Sequence, residues 1–213
     1  MTHWRGGVTF ISGHYKDTPN MATMDWTTPE TILSDMTDGN LTLSTPKEVA
    51  KGLTFYDIRL NRAPIRLKLS NDITAAFEPS SWGNADASRM TLTLDVPDGV
   101  LAAIFELEDS CRQLLEEKHP DVRSMWISAI KPTDTSGGRL RTKIMLDGPR
   151  AARFYDEVGQ ITTAPETWRG RSLQAIVHAR AIYVQKTGIG IMLGVTDVRI
   201  GPPVVHQYIC PFD

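Results

Sequence analysis

SLQAIVHARAIYVQ (172–185), KTG (186–188) and IGIMLGVTDVRI (189–200) are the longest strand-like runs of this 213-residue chain, and their reading decides the fold. Two runs rich in β-branched and aliphatic residues, separated by a short turn ending in glycine, read as a β-hairpin. Gly188, Gly190 and Gly194 let that hairpin bend strongly, as closing a small barrel requires.

Just upstream, strand alternation also organises charge. In Arg139-Leu140-Arg141-Thr142-Lys143-Ile144-Met145-Leu146 the basic residues take odd positions and the early apolar ones even positions. Side chains alternate across a strand, so Arg139, Arg141 and Lys143 should line one face. The surrounding stretch from Val122 to Lys186 holds eleven basic and five acidic side chains, a net +6, and it includes Trp126, Phe154, Tyr155, Trp168 and Tyr183. Residues 1 to 121 carry eleven basic and eighteen acidic side chains, a net −7. Cations interleaved with aromatic faces suit a single-stranded nucleic acid, whose phosphates attract positive charge and whose unstacked bases need flat apolar partners. Cations on exposed strands also serve solubility alone, and buried tryptophans are core. The near-neutral pI of about 6.2 favours a local patch over a generally sticky surface.

Further towards the N-terminus, Leu41 to Ser44 alternates and stops at Thr45-Pro46, and Leu53, Phe55 and Tyr56 follow Gly52. Pro64-Ile65-Arg66-Leu67-Lys68-Leu69 alternates again, which puts Arg66 and Lys68 outward, and Phe77 falls in another short strand. After a strand from Met90 to Val96 the period changes. Val100, Ile104, Leu107, Cys111, Leu114 and Leu115 predict one amphipathic helix from about Pro97 to Lys118, with Glu106, Glu108, Asp109, Glu116 and Glu117 on its outer, acidic face. Such a face repels nucleic acid, so the helix should lie away from any binding groove. A strand around Met125 to Ile130 and a glycine turn at Ser136-Gly137-Gly138 complete the pattern. Residues 1–40, rich in Thr, Asp, Pro and Gly, read as an arm; 41–205 read as the domain and 206–213 as a tail.

Enzyme signatures fail. Asp134-Thr135-Ser136-Gly137 has a serine where an aspartic-protease loop needs glycine, and Gly188-Ile189-Gly190 leads into a strand, not a phosphate-binding helix. The five histidines are dispersed, without ligand spacing, so no catalytic residue, metal or cofactor is expected. Two cysteines, Cys111 and Cys210, suggest reduced thiols. No apolar run is long enough for a bilayer, and Met1 to Thr9 lacks the apolar segment of a secretory signal, so an intracellular protein without membrane contact is expected.

The order of Leu41-Thr42-Leu43-Ser44-Thr45-Pro46, Gly52-Leu53, Arg141-Thr142-Lys143-Ile144 and Gly188-Ile189-Gly190-Ile191-Met192-Leu193-Gly194-Val195 resembles the single-stranded-DNA-binding proteins of large eukaryotic DNA viruses, related in fold to phage replication proteins. The resemblance implies a mainly β, OB-like five-stranded barrel with one helix and an arm, and sequence-tolerant DNA binding in replication, recombination or repair. Arg139, Arg141 and Lys143 would then line the groove, Arg66, Lys68, Arg169 and Arg171 would flank it on phosphates, and Trp126, Trp168 or Tyr183 would stack on bases. Expected partners are single-stranded nucleic acid, further copies of the chain and replication proteins. The end, Val205 to Asp213, carries one acid and no acidic run, which departs from the acidic tails of many phage proteins of this type. A rival reading is a virion or assembly protein that self-associates through its arm and edge strands.

Overall fold

The computed structural model describes residues 40–81, 88–133 and 137–203. The expected N-terminal arm, the tail at 206–213 and the first residue of the Ser136 turn lie outside the described residues. Strands β1 (Leu41–Leu43), β2 (Lys47–Ala50), β3 (Leu53–Leu60), β4 (Ala63–Ala75) and β5 (Arg89–Val96) precede helix α1 (Asp98–Glu116) and the single-turn α2 (Val122–Met125). Strands β6 (Ile130–Pro132), β7 (Gly138–Met145), β8 (Arg153–Tyr155), β9 (Ile161–Thr162), β10 (Arg171–Gln185) and β11 (Gly188–Pro203) follow.

Five of these strands close on themselves. β4 pairs with β5, β5 with β7, β7 with β11, β11 with β10, and β10 returns to β4. Only the β7–β11 contact in this ring is parallel. In chain order the ring runs first, second, third, fifth, fourth, which is an OB-like barrel. β3 extends the barrel wall by pairing with the end of β10, and β8 adds to β11.

Alternation explains the wall. Leu140, Thr142 and Ile144 of β7, Leu92 and Leu94 of β5, and Ile65, Leu67 and Leu69 of β4 point inward and are buried. Thr142 is the polar member of that set, and its hydroxyl donates to the Leu92 carbonyl at 2.8 Å, so its burial leaves no lone donor. The odd positions of β7 face outward, as the sequence predicts. The Asn61-Arg62 turn between β3 and β4 has positive φ at both residues, the backbone a two-residue hairpin prefers.

Helix α1 occupies the predicted span and buries Val100, Ile104, Leu107, Cys111 and Leu115. Two details correct its expected faces. Leu114 is 41% exposed, because a step of about 100° from Leu115 turns it off the buried stripe. Glu108, expected on the acidic outer face, is 1% exposed; its carboxylate accepts hydrogen bonds from the Ser128 hydroxyl and the Ala129 amide, each at 2.7 Å. That anchor also explains why Met125 to Ile130 is not a strand. Met125 ends α2, Trp126 makes an isolated bridge to Ile189, and regular pairing begins only at Ile130. Phe77, expected in a strand, follows the end of β4 in a loop.

Candidate nucleic-acid interface

Outward-facing positions of neighbouring strands meet in a groove of about 770 Å³. Arg141 and Lys143 of β7, Arg89 and Thr91 of β5, and Tyr183 of β10 line it, with Phe55 and Phe77 as further aromatic walls. Pairing sets the arrangement: Lys143 lies opposite Thr91, Arg141 opposite Thr93, and Tyr183 lies between Phe55 on β3 and Gly190 on β11. Gly190 has to be glycine here. A Cβ would stand 2.8 Å from the Tyr183 hydroxyl and 2.7 Å from the Ile127 carbonyl.

Charge is concentrated, and the one carboxylate in the lining, Glu78, accepts the Trp168 and Arg169 amides instead of pairing with a groove cation. Among the described residues, none of Arg89, Arg141, Lys143 or Arg180 forms an ion pair with a carboxylate. Lys143 donates to the Thr91 hydroxyl at 2.7 Å, and its pKa is lowered first by burial and then by Arg89 and Arg141. The pKa of Arg180 is lowered by burial, then by Arg150 and Arg89. Burial raises that of the Tyr183 phenol, with Arg141 opposing. Cations held close enough to destabilise one another, on a partly desolvated face, favour an anion between them.

The remaining predicted residues are distributed differently. Arg139 shares the outward face of β7 but pairs with Asp95 at 3.3 Å and lies over the Phe77 ring at 4.8 Å, so it sits at the rim and outside the groove lining. Trp168 is 3% exposed and packs edge-on against Phe154, which makes it a core residue with no face to offer a base. Trp126 is half-buried beneath Arg112, its indole nitrogen is buried without an acceptor, and it does not line the groove. Arg169 is exposed and Arg171 donates to the Thr167 carbonyl at 2.7 Å; both are outside the groove. The Glu78 carboxylate accepts the Trp168 and Arg169 amides and holds the backbone of this segment against the end of β4. Arg66 and Lys68 point out of β4, beyond the groove lining.

Sequence reasoning missed Arg89, Phe55, Phe77 and Arg180. Alternation through β5 marks Arg89 as outward, on the side of Thr91 and Thr93. Its neighbours, however, come from β7 and β11, and no local pattern reports them.

No protein-family profile matches the sequence, and a search of curated proteins finds no match. Among solved structures, gp2.5, a single-stranded DNA binding protein encoded by bacteriophage T7, superposes with a TM-score of 0.51 at 11% identity, covering 68% of this chain and 90% of that one. The single-stranded DNA-binding protein from bacteriophage Enc34, with its C-terminus truncated, gives 0.46 at 16% identity, covering 75% and 94%. The same phage protein in complex with ssDNA gives 0.45 at 15% identity, covering 75% and 97%. The T7 likeness is one of fold, in agreement with the barrel traced above. These neighbours are phage proteins, whereas the resemblance in sequence order named large eukaryotic DNA viruses, which are not represented among them.

Proposed function

We propose that this protein binds single-stranded DNA, with little preference for sequence, in the groove between β5, β7 and β10, and that it acts in replication, recombination or repair without catalysing a reaction. One observation carries the reading: Arg89, Arg141 and Lys143, free of carboxylate partners among the described residues, line the same groove as Phe55, Phe77 and Tyr183. Phosphates neutralise the cations, and bases leave water to stack on the rings. Cations and flat rings suit backbone and stacking contacts more than sequence readout. The fold likeness to the T7 protein, a single-stranded DNA binding protein, supports the same reading.

The test is fluorescence anisotropy with labelled oligothymidine and a mixed-sequence oligonucleotide of equal length. The wild-type chain should bind both alike. Arg141→Glu combined with Lys143→Glu should weaken both by the same factor, at least about tenfold, since each reversal replaces an attraction with a repulsion. Undiminished binding by the double variant would overturn the assignment of the groove.

A further inference from the structure

We propose that a second run of phosphate contacts leaves the groove at Lys143 and crosses the barrel wall over Arg180 and His178 to Arg66, so that the bound strand reaches from β7 to β4. This inference rests on the reading of the groove as a single-stranded DNA site.

Pairing register carries the idea. Lys143 lies opposite Gly194, Gly194 opposite His178, and His178 opposite Arg66. These four residues form one row across β7, β11, β10 and β4, perpendicular to the strands. With neighbouring strands about 4.8 Å apart, the row runs roughly 14 Å along the surface.

Gly194 would leave a gap in the row, and Arg180 fills it. A Cβ built on Gly194 would lie 3.5 Å from the Arg180 Nε and 3.7 Å from its Cδ, so the arginine stem runs across the glycine. The displacement has a local cause. The register between β10 and β11 shifts between Ala179 and Ala181, so Arg180 is the extra residue of a bulge, and bulges re-aim side chains. The same bulge changes the parity of β10, so that His178 and Tyr183, five residues apart, face the same side of the sheet.

Electrostatics agree with the geometry. Arg180 feels both Arg89 in the groove and Arg150 outside it, and His178 feels Arg180 and Arg66. Among the described residues no carboxylate pairs with any cation of the row. A line of cations without carboxylate partners, Lys143, Arg180 and Arg66, leaving a DNA groove matches the phosphate backbone of the strand that fills the groove.

The experiment measures affinity for oligothymidines from about 4 to about 16 nucleotides, the range of site sizes for one such barrel. Arg66→Ala and Arg180→Ala are compared with wild type and with Arg123→Ala, which removes a cation paired with Glu116 on the helical side. For wild type, affinity should keep rising with length beyond the shortest oligomers that bind. Arg66→Ala should match wild type on those, lose roughly threefold to tenfold on the longest, and lower the salt slope there by about 0.7. Arg66→Lys should restore most of the loss, and Arg123→Ala should leave the slope unchanged. If wild type binds and Arg66→Ala equals it at every length and salt concentration, the second run of contacts does not exist. If wild type binds no oligothymidine at all, the groove reading itself fails.

Discussion

Tyr183 illustrates how much one side chain depends on its neighbours. Its ring lies over Gly190, its hydroxyl is near Arg141 and Glu108, and Phe55 sits opposite it across β10 and β3. On the proposed reading it is a stacking platform. Tyr183→Ala should cost about 1 to 3 kcal/mol of binding, while Tyr183→Phe should keep most of the affinity, because the π-face and not the hydroxyl meets the base. Equal losses for the two variants in an anisotropy titration would assign the role to the hydroxyl instead. His178 makes a second, pH-dependent prediction. Burial first, then Arg180 on its own strand and Arg66 on β4, push its pKa down from 6.5 to about 4, and Gly194 on β11 brings no compensating charge. In the free protein this favours the neutral ring, so stability is fully present above pH 6.5 and is lost as pH falls towards about 4. Phosphates bound beside Arg180 and Arg66 would offset that repulsion and raise the pKa again. DNA binding should therefore take up a proton, with affinity rising as pH falls towards about 4 and levelling off there. His178→Gln should flatten this part of the profile, and an unchanged profile in the variant would exclude His178 as its source.

Among the elements, α1 does more than cover the barrel. Its acidic surface lies off the groove, which no helix residue lines, but its one buried carboxylate reaches the segment that borders it. Glu108 holds Ser128 and the Ala129 amide, and Ile127 and Ala129 contribute to the groove wall. Glu108→Ala would leave the Ala129 amide without this acceptor, a cost of about 1 to 3 kcal/mol read as a lower midpoint in urea unfolding. DNA affinity should fall as well, because the groove wall loosens. A variant as stable as wild type would show that water replaces the carboxylate at no cost. The strand elements contribute by register: β7 carries cations at alternate positions, but only its pairing with β5 on one side and β11 on the other brings Arg89 and Gly194 beside Lys143.

For the whole molecule, the near-neutral balance conceals a polarised surface. Arg66, Arg89, Arg141, Lys143, Arg150 and Arg180 make no ion pair among the described residues. If about six phosphates are neutralised, the logarithm of affinity should fall with the logarithm of salt concentration with a slope of about −4. A slope near zero in salt titrations would remove the electrostatic basis of the proposal. The assembly reading predicts something different: a large species in size-exclusion chromatography whether or not oligothymidine is added, with the basic strands matched against the acidic helix of a neighbouring copy.

Periodicity made much of the barrel legible. Alternation in β4, β5 and β7, the three- and four-residue spacing of α1 and the glycine-bearing hairpin of β10 and β11 are local patterns, set by which side chains must leave water. They also marked Arg141 and Lys143 as outward, whereas Tyr183 faces their side only because the bulge at Arg180 shifts the parity of β10. Local pattern could not say which tryptophan is buried, because Trp168 packs on Phe154 and its amide is held by Glu78, ninety residues earlier in the chain. Nor could it reveal Arg89 and Arg180 as neighbours of that set, since their proximity depends on strand order and on a bulge that shifts parity by one residue. The sequence by itself determined the faces of the regularly alternating strands β4, β5 and β7. Tertiary structure decided which faces meet, because pairing register and barrel closure depend on contacts between residues far apart in the chain.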